Sequence, residues 1–434
     1  MRFIYSFLLG VAVIVMLPYF IYQALFNRKY AGSLGQRLGF LPPETLNAGT
    51  GSGLRPAVWI HAVSVGEALA AKPLIALLRA RFPQYRLIIS TTTATGQAVA
   101  RSRLTEADAV CYFPFDWKFS VRRALDAIRP RAVILMESEL WLNFLSECEA
   151  RKIPVIVANG RVSDRSFARS RKFGFFVRRL YGLVARFAMQ SSLDAGRAIA
   201  LGAPAGRVAV TGNLKFEIGD AGDSPKVVET AKALALDSSP LVIAGSTTEG
   251  EEEMVLSAFE GLRKENGFGR VRLLIAPRHP ERFDSVARSL KSSQLPVARR
   301  SSLNGDCGGA DVILLDTVGE LASLYRFASA VFVGGSLVPK GGHNILEPAL
   351  YAKPIIVGPH MENFREIAAE FLRRGALVQL RAGARPLTAE LRDAFARVLG
   401  DKDYAETLGS NARLAIDENR GAAARTVEIV AEYL

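Results

Sequence analysis

The chain has 434 residues, of which 49% are apolar and 22% charged, so it can bury full cores and is not a disordered protein. Its 55 Lys and Arg against 42 Asp and Glu leave a net charge of +13, which indicates an anionic partner: nucleic acid, a phosphorylated substrate or an acidic membrane surface. Three cysteines without a C-x-x-C pair exclude a disulfide framework and a cysteine-rich zinc site, and four scattered histidines argue against a histidine-based metal site.

The N-terminal stretch Phe3–Phe26 has 24 residues without Asp, Glu, Lys, Arg or His. A helix rises about 1.5 Å per residue, so this stretch is long enough to cross a hydrocarbon core of about 30 Å. The cations that follow it, Arg28, Lys29 and Arg37, outnumber the single Arg2 before it, which predicts a cytoplasmic remainder. We therefore predict a retained membrane-anchor helix at 1–30. The alternatives are a cleaved signal peptide and a helix lying in the interface.

Residues 31–56 are predicted to be a linker, because 41–56 is rich in Gly, Pro and small polar residues. From there on, short apolar runs alternate with helical patterns, and this rhythm predicts parallel β-α-β units. It breaks at the polar stretch 218–228. We therefore predict two Rossmann-like doubly wound α/β domains, at 57–217 and 218–434, with ligands bound in the cleft between them. The predicted strands are Ala57–Val63, Arg86–Ser90, Ala132–Met136, Ile153–Ala158, Val208–Val210, Leu241–Ala244, Val271–Ala276, Asp311–Leu315, Ala330–Val333 and Pro354–Val357.

Acidic residues directly follow two strands of the first predicted domain. Ser64 and Glu67 have the spacing of a capping box, but a carboxylate at the end of a strand can also take a proton from a substrate hydroxyl. Glu137 and Glu139 follow another strand, where they favour either an acid–base pair or an ordinary helix N-terminus. Lys215 closes the last strand of this domain and is predicted to face the cleft.

The second predicted domain has several turns suited to a phosphate or a nucleotide. Ser246 and Thr247 precede an acidic helical turn, which indicates either a simple cap or a phosphate-binding N-terminus. Arg278, after Pro277, is either a phosphate ligand or a solvated side chain. Gly319 allows close approach to a base or a ribose. The stretch from Gly334 to Pro348 has several glycines together with Asn344 and Glu347, and we favour ligand binding there because a cap leaves the glycines unexplained.

A basic, aromatic stretch spans 161–187, with eight Arg or Lys against the single acid Asp164. Its composition suits an anionic lipid surface or a phosphorylated lipid, and the predicted anchor favours lipid over nucleic acid. An ordinary amphipathic helix with a solvated basic face is the alternative. The predicted contacts to the acceptor or the membrane are Arg161, Arg165, Arg171, Lys172, Arg178 and Arg179.

Eight segments together resemble the bacterial 3-deoxy-D-manno-octulosonic acid (Kdo) transferases of lipid A biosynthesis. In the family's order, from His61 to Leu350, they are HAVSVGE, STTTATG, MESELW, ANGRVS, TGNLKFE, APRHPERF, GELASLY and GGHNILEPAL. One departure is Leu142 after Trp141, where the family usually has proline. The resemblance implies a membrane-associated glycosyltransferase of the B type, with two Rossmann-like domains facing a central cleft.

The resemblance further implies an inverting transfer of Kdo from CMP-Kdo to a lipid A precursor of the lipid IVA type, at the cytoplasmic face of the inner membrane. Glu67 would be the general base, and Glu137 and Lys215 would assist the transition state. The implied partners are CMP-Kdo, the phosphorylated acceptor and an anionic membrane, with no nucleic acid, metal or other cofactor. The implied CMP contacts are Pro277, Arg278, Val318, Gly319, Glu320, Asn344, Ile345, Leu346 and Glu347.

Two other functions are consistent with the same patterns. One is a different B-type glycosyltransferase or a nucleotide-sugar epimerase that uses a UDP-sugar, because the fold and a ribose-binding glutamate would serve either enzyme. The other is a membrane-anchored module that binds acidic lipid without catalysis, which leaves Glu67 and the glycine-rich stretch without a role.

Overall fold

The computed structural model describes Tyr5 and residues 31–47, 55–217, 225–233, 239–291, 293–302, 309–383 and 385–434. Apart from Tyr5, the predicted anchor at 1–30 lies outside the described residues, as do 48–54 of the predicted linker. The part that is described contains no helix with both the length and the hydropathy needed to cross a bilayer. It forms two compact units, one drawn from Met1–Glu217 and Asn419–Leu434 and the other from Ile218–Glu418.

The first unit is built on a seven-stranded sheet in the order β3-β2-β1-β4-β5-β6-β7, with every neighbouring pair parallel. Successive strands run outward in both directions from the adjacent β1 and β4, which makes their carboxyl ends the switch point where ligands bind in such sheets. The predicted parallel β-α-β architecture is confirmed. The strands are β1 Ala57–His61, β2 Arg86–Thr91, β3 Ala109–Tyr112, β4 Pro130–Met136, β5 Val155–Gly160, β6 Arg186–Met189 and β7 Val208–Val210.

Helices cover both faces of this sheet, because both faces are apolar. Along β1, Trp59 enters one core and packs edge-on against Phe144, whereas Val58 and Ile60 enter the opposite core. All five β1 residues are buried, as expected when side chains alternate between two covered faces. The helices are α1 Leu34–Arg37, α2 Pro43–Asn47, α3 Val65–Arg81, α4 Ala94–Arg103, α5 Lys118–Ile128, α6 Leu142–Ala150, α7 Asp164–Arg171, α8 Gly174–Gly182 and α9 Ser192–Ala200, with short 3-10 turns at Ala31–Ser33, Ala205–Arg207 and Leu214–Phe216.

The last helix of the chain, Ala422–Ala431, also belongs to the first unit, whereas the predicted second domain ran to residue 434. Its apolar face, including Val427 and Val430, enters the same core as helix α3. The Nε of Arg425 donates to the carbonyl of Thr211 at 2.8 Å. The polypeptide therefore returns to the first unit after completing the second, because this apolar face is buried there.

The second unit has its own seven-stranded parallel sheet, in the order β10-β11-β9-β8-β12-β13-β14. Its strands are β8 Leu241–Thr247, β9 Arg272–Pro277, β10 Val297–Arg299, β11 Val312–Leu314, β12 Ala330–Val333, β13 Ile355–Val357 and β14 Val378–Gln379. Its helices are α10 Pro225–Ala233, α11 Glu251–Arg263, α12 Phe283–Leu290, α13 Leu321–Leu324, α14 Leu346–Ala349, α15 Arg365–Arg373, α16 Leu387–Gly400 and α17 Lys402–Asp417, and α18 is Ala422–Ala431 of the first unit. Short 3-10 turns lie at Pro280–Arg282, Arg300–Ser302, Tyr325–Phe327 and Glu362–Phe364.

Candidate active site

Three charged residues follow strands of the first unit and come together beyond the carboxyl ends of its sheet. Glu67 lies in the first turn of α3, after β1, and Glu137 directly follows β4, the neighbour of β1. Lys215 lies on the 3-10 turn after β7, and its Nζ is 2.9 Å from Oε1 of Glu137. The charge of Glu137 in turn acts on the carboxyl group of Glu67. All three residues singled out from the sequence therefore form one electrostatic group.

Glu67 closes a capping box at the start of α3, as its spacing predicted. The Oγ of Ser64 accepts the N–H of Glu67 at 3.4 Å and donates to Oε1 of Glu67 at 3.0 Å. The other carboxylate oxygen, Oε2, accepts the N–H of Val63 at 2.9 Å, one residue earlier than in the usual box. These bonds hold the carboxylate at the strand edge while the side chain stays only partly buried.

The environment of Glu67 favours its protonated form. The pKa of Glu67 is raised from 4.5 to about 7, mainly by burial, with a smaller contribution from the negative charges of Glu137 and Glu139. The hydrogen bonds from Val63 and Ser64 act in the opposite direction but do not cancel the rise. A carboxylate with a pKa near 7 is suited to accept a proton at neutral pH.

Glu137 and Glu139, considered from the sequence as an acid–base pair, have different environments. Glu137 is paired with Lys215 and adopts a left-handed backbone conformation, with φ at 59°, which is uncommon outside glycine and is often found at functional sites. Burial raises the pKa of Glu139, and the charge of Glu137 adds to the rise. The two acids therefore differ in role: one is an ion-pair partner, and the other adds negative charge near Glu67.

Three amide side chains, of which Asn159 is buried, support the turn that carries Lys215, and sequence analysis did not identify them. The Oδ1 of Asn159 accepts the N–H of Leu214 at 2.9 Å, and the Oδ1 of Asn213 accepts the N–H of Lys215 at 3.0 Å. Gln190 links the two asparagines, because its Nε2 donates to the carbonyl of Asn159 and its Oε1 accepts the Nδ2 of Asn213, both at 3.0 Å. Asn159 and Asn213 lie within the quoted ANGRVS and TGNLKFE segments, but their partners are distant in sequence.

In the second unit, Arg278 comes close to the predicted nucleotide-binding stretch. The pKa of His343 is lowered to about 4 by burial, and the positive charge of Arg278 contributes to this fall. The same charge opposes the rise in the pKa of Glu347 that burial causes. Arg278 is exposed after β9, whereas Glu347 is partly buried. Arg278 is suited to bind a phosphate, and a carboxylate oxygen of Glu347 is suited to accept hydrogen bonds from a diol.

The predicted cap at Asn344 has a different geometry from the one expected. Ile345 is the N-cap of α14, so Asn344 stands one residue before it. The Oδ1 of Asn344 accepts the N–H of Leu346 at 3.1 Å, and its Nδ2 donates to Oε1 of Glu347 at 3.0 Å. A local turn therefore fixes the Glu347 side chain without a full capping box.

Several predicted donor-binding side chains point into the second unit. Thr247 is fully buried, and its hydroxyl donates to Oε1 of Glu252 at 2.9 Å. Glu320 is buried as well and bonds to the hydroxyl of Thr230, with the Nε of Arg300 at 3.5 Å. At these positions the main chain, rather than the side chain, is left to contact a ligand. The side chains of Pro277, Ile345 and Leu346 are also buried, so only their main chain can contact a ligand. Ser246 is partly exposed, and Val318 is 70% exposed.

The glycines from 334 to 342 have structural reasons that the sequence did not reveal. A Cβ at Gly334 would lie 2.5 Å from the carbonyl oxygen of Ser246, and one at Gly341 would lie 2.5 Å from Nδ2 of Asn363. Gly335, Gly341 and Gly342 also have positive φ angles. These glycines therefore do not by themselves indicate a ligand, because packing and backbone conformation account for them, and ligand binding at this stretch stays a prediction.

The basic stretch forms helices α7 and α8 and then enters strand β6, which the sequence analysis had not separated from it. Helix α7 has no buried residue, and Phe173 and Phe175 are 63% and 83% exposed. The Tyr5 ring packs against Phe176 of α8, with 6.0 Å between ring centroids. Five of the predicted contact residues are exposed: Arg165, Arg171, Lys172, Arg178 and Arg179. Arg179 also forms an ion pair with Glu149 at 3.2 Å, and Arg161 is partly buried.

Comparison with known proteins gives three main matches. The family model for 3-deoxy-D-manno-octulosonic-acid transferase (kdotransferase) matches residues 32–218. A 3-deoxy-D-manno-octulosonic acid transferase from Haemophilus influenzae is 32% identical over 433 residues, covering 100% of this chain and 99% of that protein. The solved C-terminal CMP-Kdo binding domain of a protein from Acinetobacter baumannii is 31% identical and covers 44% of this chain and 96% of that one, with a TM-score of 0.40.

A more distant likeness concerns the whole architecture. The structure of UDP-GlcNAc 2-epimerase from Neisseria meningitidis, bound to UDP-GlcNAc, is 14% identical and covers 87% of this chain and 100% of that one, with a TM-score of 0.55. At this identity the likeness shows the fold alone.

Proposed function

This chain belongs to the 3-deoxy-D-manno-octulosonic acid (Kdo) transferase family, and on that premise we propose how its residues perform the transfer. The protein is a glycosyltransferase of lipopolysaccharide biosynthesis. The donor in our proposal is CMP-Kdo and the acceptor is a hydroxyl of a phosphorylated lipid A precursor, with inversion at the anomeric carbon. The observation that carries the proposal is the group of Glu67, Glu137 and Lys215, in which Glu67 has a pKa of about 7.

The first unit supplies the base in this mechanism. The acceptor oxygen attacks the anomeric carbon of Kdo while the bond from that carbon to the phosphate oxygen of CMP breaks. The proton of the acceptor hydroxyl passes to the carboxylate of Glu67, and CMP leaves with the bonding electron pair. Direct attack from the face opposite to the leaving group inverts the anomeric centre. Lys215, held by Glu137, provides positive charge for an acidic sugar as the transition state forms.

The second unit binds the nucleotide in this proposal. Arg278 is exposed and cationic, so it can stabilise the negative charge that develops on the departing phosphate. Glu347 is held by Asn344 and has a carboxylate suited to the two hydroxyls of a ribose. The main chain at Gly319, with φ at 91° and no atom within 4 Å of the place of a Cβ, allows close approach of a base.

The pH dependence of transfer follows from the pKa of Glu67. A general base works only when deprotonated, so kcat/KM should fall as the pH drops below about 7. The hydrogen bond from the Ser64 hydroxyl lowers this pKa, so Ser64→Ala should move the acid limb of the profile to higher pH. Steady-state rates between pH 4 and pH 9 measure the position of this acid limb. An acid limb near 4.5, or a shift to lower pH in Ser64→Ala, would contradict the assignment of the base.

Glu347→Ala should weaken CMP binding by roughly 1–3 kcal/mol, because a buried diol would lose a charged hydrogen-bond partner. Titration calorimetry with CMP measures this directly and does not depend on catalysis. The matched control is Glu362→Ala, an exposed carboxylate that we do not place at the nucleotide. Equal CMP affinity in Glu347→Ala and the wild type would remove Glu347 from the ribose.

For localisation, we propose that the protein sits at the cytoplasmic face of the inner membrane through residues 1–30 and the α7–α8 surface. The support is the apolar sequence at 3–26, the exposed phenylalanines among exposed cations on α7 and α8, and the packing of Tyr5 on α8. Aromatic rings beside cations are typical of surfaces that enter the headgroup region of anionic bilayers.

Removal of residues 1–30 should reduce membrane retention while transfer to a detergent-solubilised acceptor continues. Flotation with vesicles that contain anionic lipid separates bound from free protein. The double variant Phe173→Ser/Phe175→Ser in the full chain tests the α7–α8 surface by itself, and we expect a smaller loss of binding. A deletion variant that floats as well as the full chain would show that residues 1–30 are not needed for retention.

A further inference from the structure

A fully buried carboxylate in the second unit, Glu251, accepts hydrogen bonds from five donors. Its Oε2 accepts the N–H and the hydroxyl of Thr248, at 2.9 and 3.0 Å, and the N–H of Gly335 at 2.6 Å. Its Oε1 accepts the N–H groups of Ser336 and Leu337, at 2.9 and 2.8 Å. Glu251 is 0% exposed, so water cannot replace any of these partners. The first residue of α11 therefore binds a loop that lies more than eighty residues away in the sequence.

The loop at 335–337 has the form of an anion-binding nest. Three consecutive N–H groups point to one carboxylate, a conformation that the positive φ of Gly335, 68°, makes possible. Bonds from backbone N–H groups to a charged acceptor are stronger than neutral ones. The protein thus fills this nest with its own Glu251, and the amide of Thr248, the residue after the predicted phosphate-binding pair Ser246 and Thr247, donates to the same carboxylate.

This loop directly supports the segment that carries His343. A Cβ at Gly335 would lie 2.9 Å from Cδ2 and Nε2 of the His343 ring, so the ring rests against the glycine. The N–H of Gly342 donates to the carbonyl of Gly335 at 2.7 Å. The Ser336 hydroxyl further accepts the N–H of Gly358 at 2.9 Å, which ties the loop to the end of β13. The position of the nest therefore sets the position of the turn that leads into Asn344 and Glu347.

We propose that Glu251 is a positioning residue for nucleotide binding: it fixes the loop at 335–337, and through the contacts with Gly342 and His343 it fixes the stretch Asn344–Glu347. The proposal rests on the proposed function in one respect, namely that this stretch holds CMP. Glu251 itself does not touch the ligand in this account. It acts on donor binding and has no part in proton transfer.

The claim that Glu251 fixes the loop at 335–337 is tested by amide hydrogen exchange on the full-length Glu251→Gln variant. Glutamine has one carbonyl oxygen and an amino group, so at least one pair of N–H groups loses its acceptor and faces a donor. Exchange of the Gly335, Ser336 and Leu337 amides should become roughly tenfold faster or more. Glu253→Gln is the matched control, because Glu253 is exposed in the same helical turn. Unchanged exchange at all three amides in Glu251→Gln would overturn the proposal.

The claim that Glu251 acts on donor binding is tested by measuring KM for CMP-Kdo and KM for the acceptor separately. In Glu251→Gln, KM for CMP-Kdo should rise roughly tenfold while KM for the acceptor stays unchanged. A role in overall stability alone would lower kcat through loss of active protein and leave both KM values at the wild-type level, and that result would overturn the proposal. If Glu251→Gln does not fold, Thr248→Val removes one of the five donors, and roughly a two- to threefold rise in donor KM is expected.

Wild-type turnover and the donor KM of the variants together show whether the proposed function or only the role of Glu251 fails. Wild-type protein that turns over no CMP-Kdo would contradict the proposed function. Wild-type turnover, combined with an unchanged donor KM in Glu251→Gln and in Thr248→Val, would contradict only the role of Glu251.

Discussion

Replacement of Glu67 by glutamine should lower kcat for Kdo transfer by roughly 10²- to 10⁴-fold, the usual contribution of a positioned general base. Glutamine has nearly the same shape but cannot accept a proton at neutral pH. Its carbonyl can still accept the N–H of Val63, and its amino group can donate to the Ser64 hydroxyl, so the start of α3 should persist. The loss should therefore appear in kcat, with CMP affinity unchanged.

The fold should tolerate this substitution. Because the pKa of Glu67 is raised to about 7, the folded protein binds this proton more tightly than the unfolded chain. The stabilisation from the proton is fully present below pH 4.5 and is lost as the pH rises through about 7. At pH 8 the wild type carries a disfavoured charge that glutamine lacks. Thermal unfolding at pH 8 should show Glu67→Gln to be at least as stable as the wild type.

The chain offers a matched control for the capping role of Glu67. Asp194 closes a second box in the first unit: its N–H donates to Ser191 Oγ at 3.2 Å, and its Oδ1 accepts the N–H of Val162 at 2.8 Å. Asp194→Asn therefore alters an equivalent helix start without touching the proposed base. Normal transfer by Asp194→Asn beside inactive Glu67→Gln would support the base. Near-normal turnover by Glu67→Gln would remove Glu67 from the chemistry.

Lys215→Ala should lower kcat by roughly 10²- to 10³-fold, comparable to the loss of one preorganised electrostatic group in other active sites. The substitution removes the positive charge offered to the acidic sugar and leaves Glu137 without its partner at 2.9 Å. Single-turnover rates at saturating CMP-Kdo isolate the chemical step. Lys215→Arg keeps the charge and should recover part of the rate.

The control for this prediction is Lys72→Ala, which removes an exposed lysine from α3, the helix that carries Glu67. It should transfer Kdo at the wild-type rate. If Lys215→Ala were as active as this control, Lys215 would have no role in the transition state. If Lys215→Arg were as slow as Lys215→Ala, positive charge would not be the property that matters.

Most strands that sequence analysis identified have continuous burial; β7, which has no buried residue, is the exception. In β1, β4 and β8 nearly every residue is buried, and such runs of Val, Ile and Leu stand out without any alignment. Among the missed strands, β6 has three buried residues but lies at the end of the basic stretch, whereas β3, β10 and β14 carry a weaker signal. β3 alternates between buried and partly buried residues, while β10 and β14 have three and two residues, all of them partly exposed. A short strand at the edge of a sheet has little apolar surface to reveal it.

The site was predictable where function depends on local sequence. Glu137 directly follows a buried strand and Glu67 lies in the first turn of the helix after another, and the resemblance of their motifs to the family implies their roles. The role of the Asn159 and Gln190 side chains was not predictable, because their hydrogen bonds join residues far apart in the chain. The role of Glu251 was not predictable either, because residues 335–337, to which it bonds, are distant in the sequence. A glutamate in the first turn of a helix is also common and attracts no attention by itself.

Side-chain direction was the other property that the sequence could not supply. Thr247 and Glu320 lie in loops that look suitable for a ligand, yet their side chains are buried and bonded to Glu252, and to Thr230 and Arg300. The glycines near Gly335 looked like ligand contacts but are required by packing and by positive φ angles. Composition reveals which groups are available, whereas only the packed structure shows which of them are already used.

The most direct test of the central claim is an assay of the purified full-length protein with CMP-Kdo and a phosphorylated lipid A precursor, followed by mass spectrometry of the acceptor. We predict that the acceptor gains the mass of a Kdo unit, that one CMP is released for each unit added, and that Glu67→Gln forms product at least roughly 10²-fold more slowly under the same conditions. An acceptor of unchanged mass, together with conversion of a UDP-sugar by the same preparation, would contradict it.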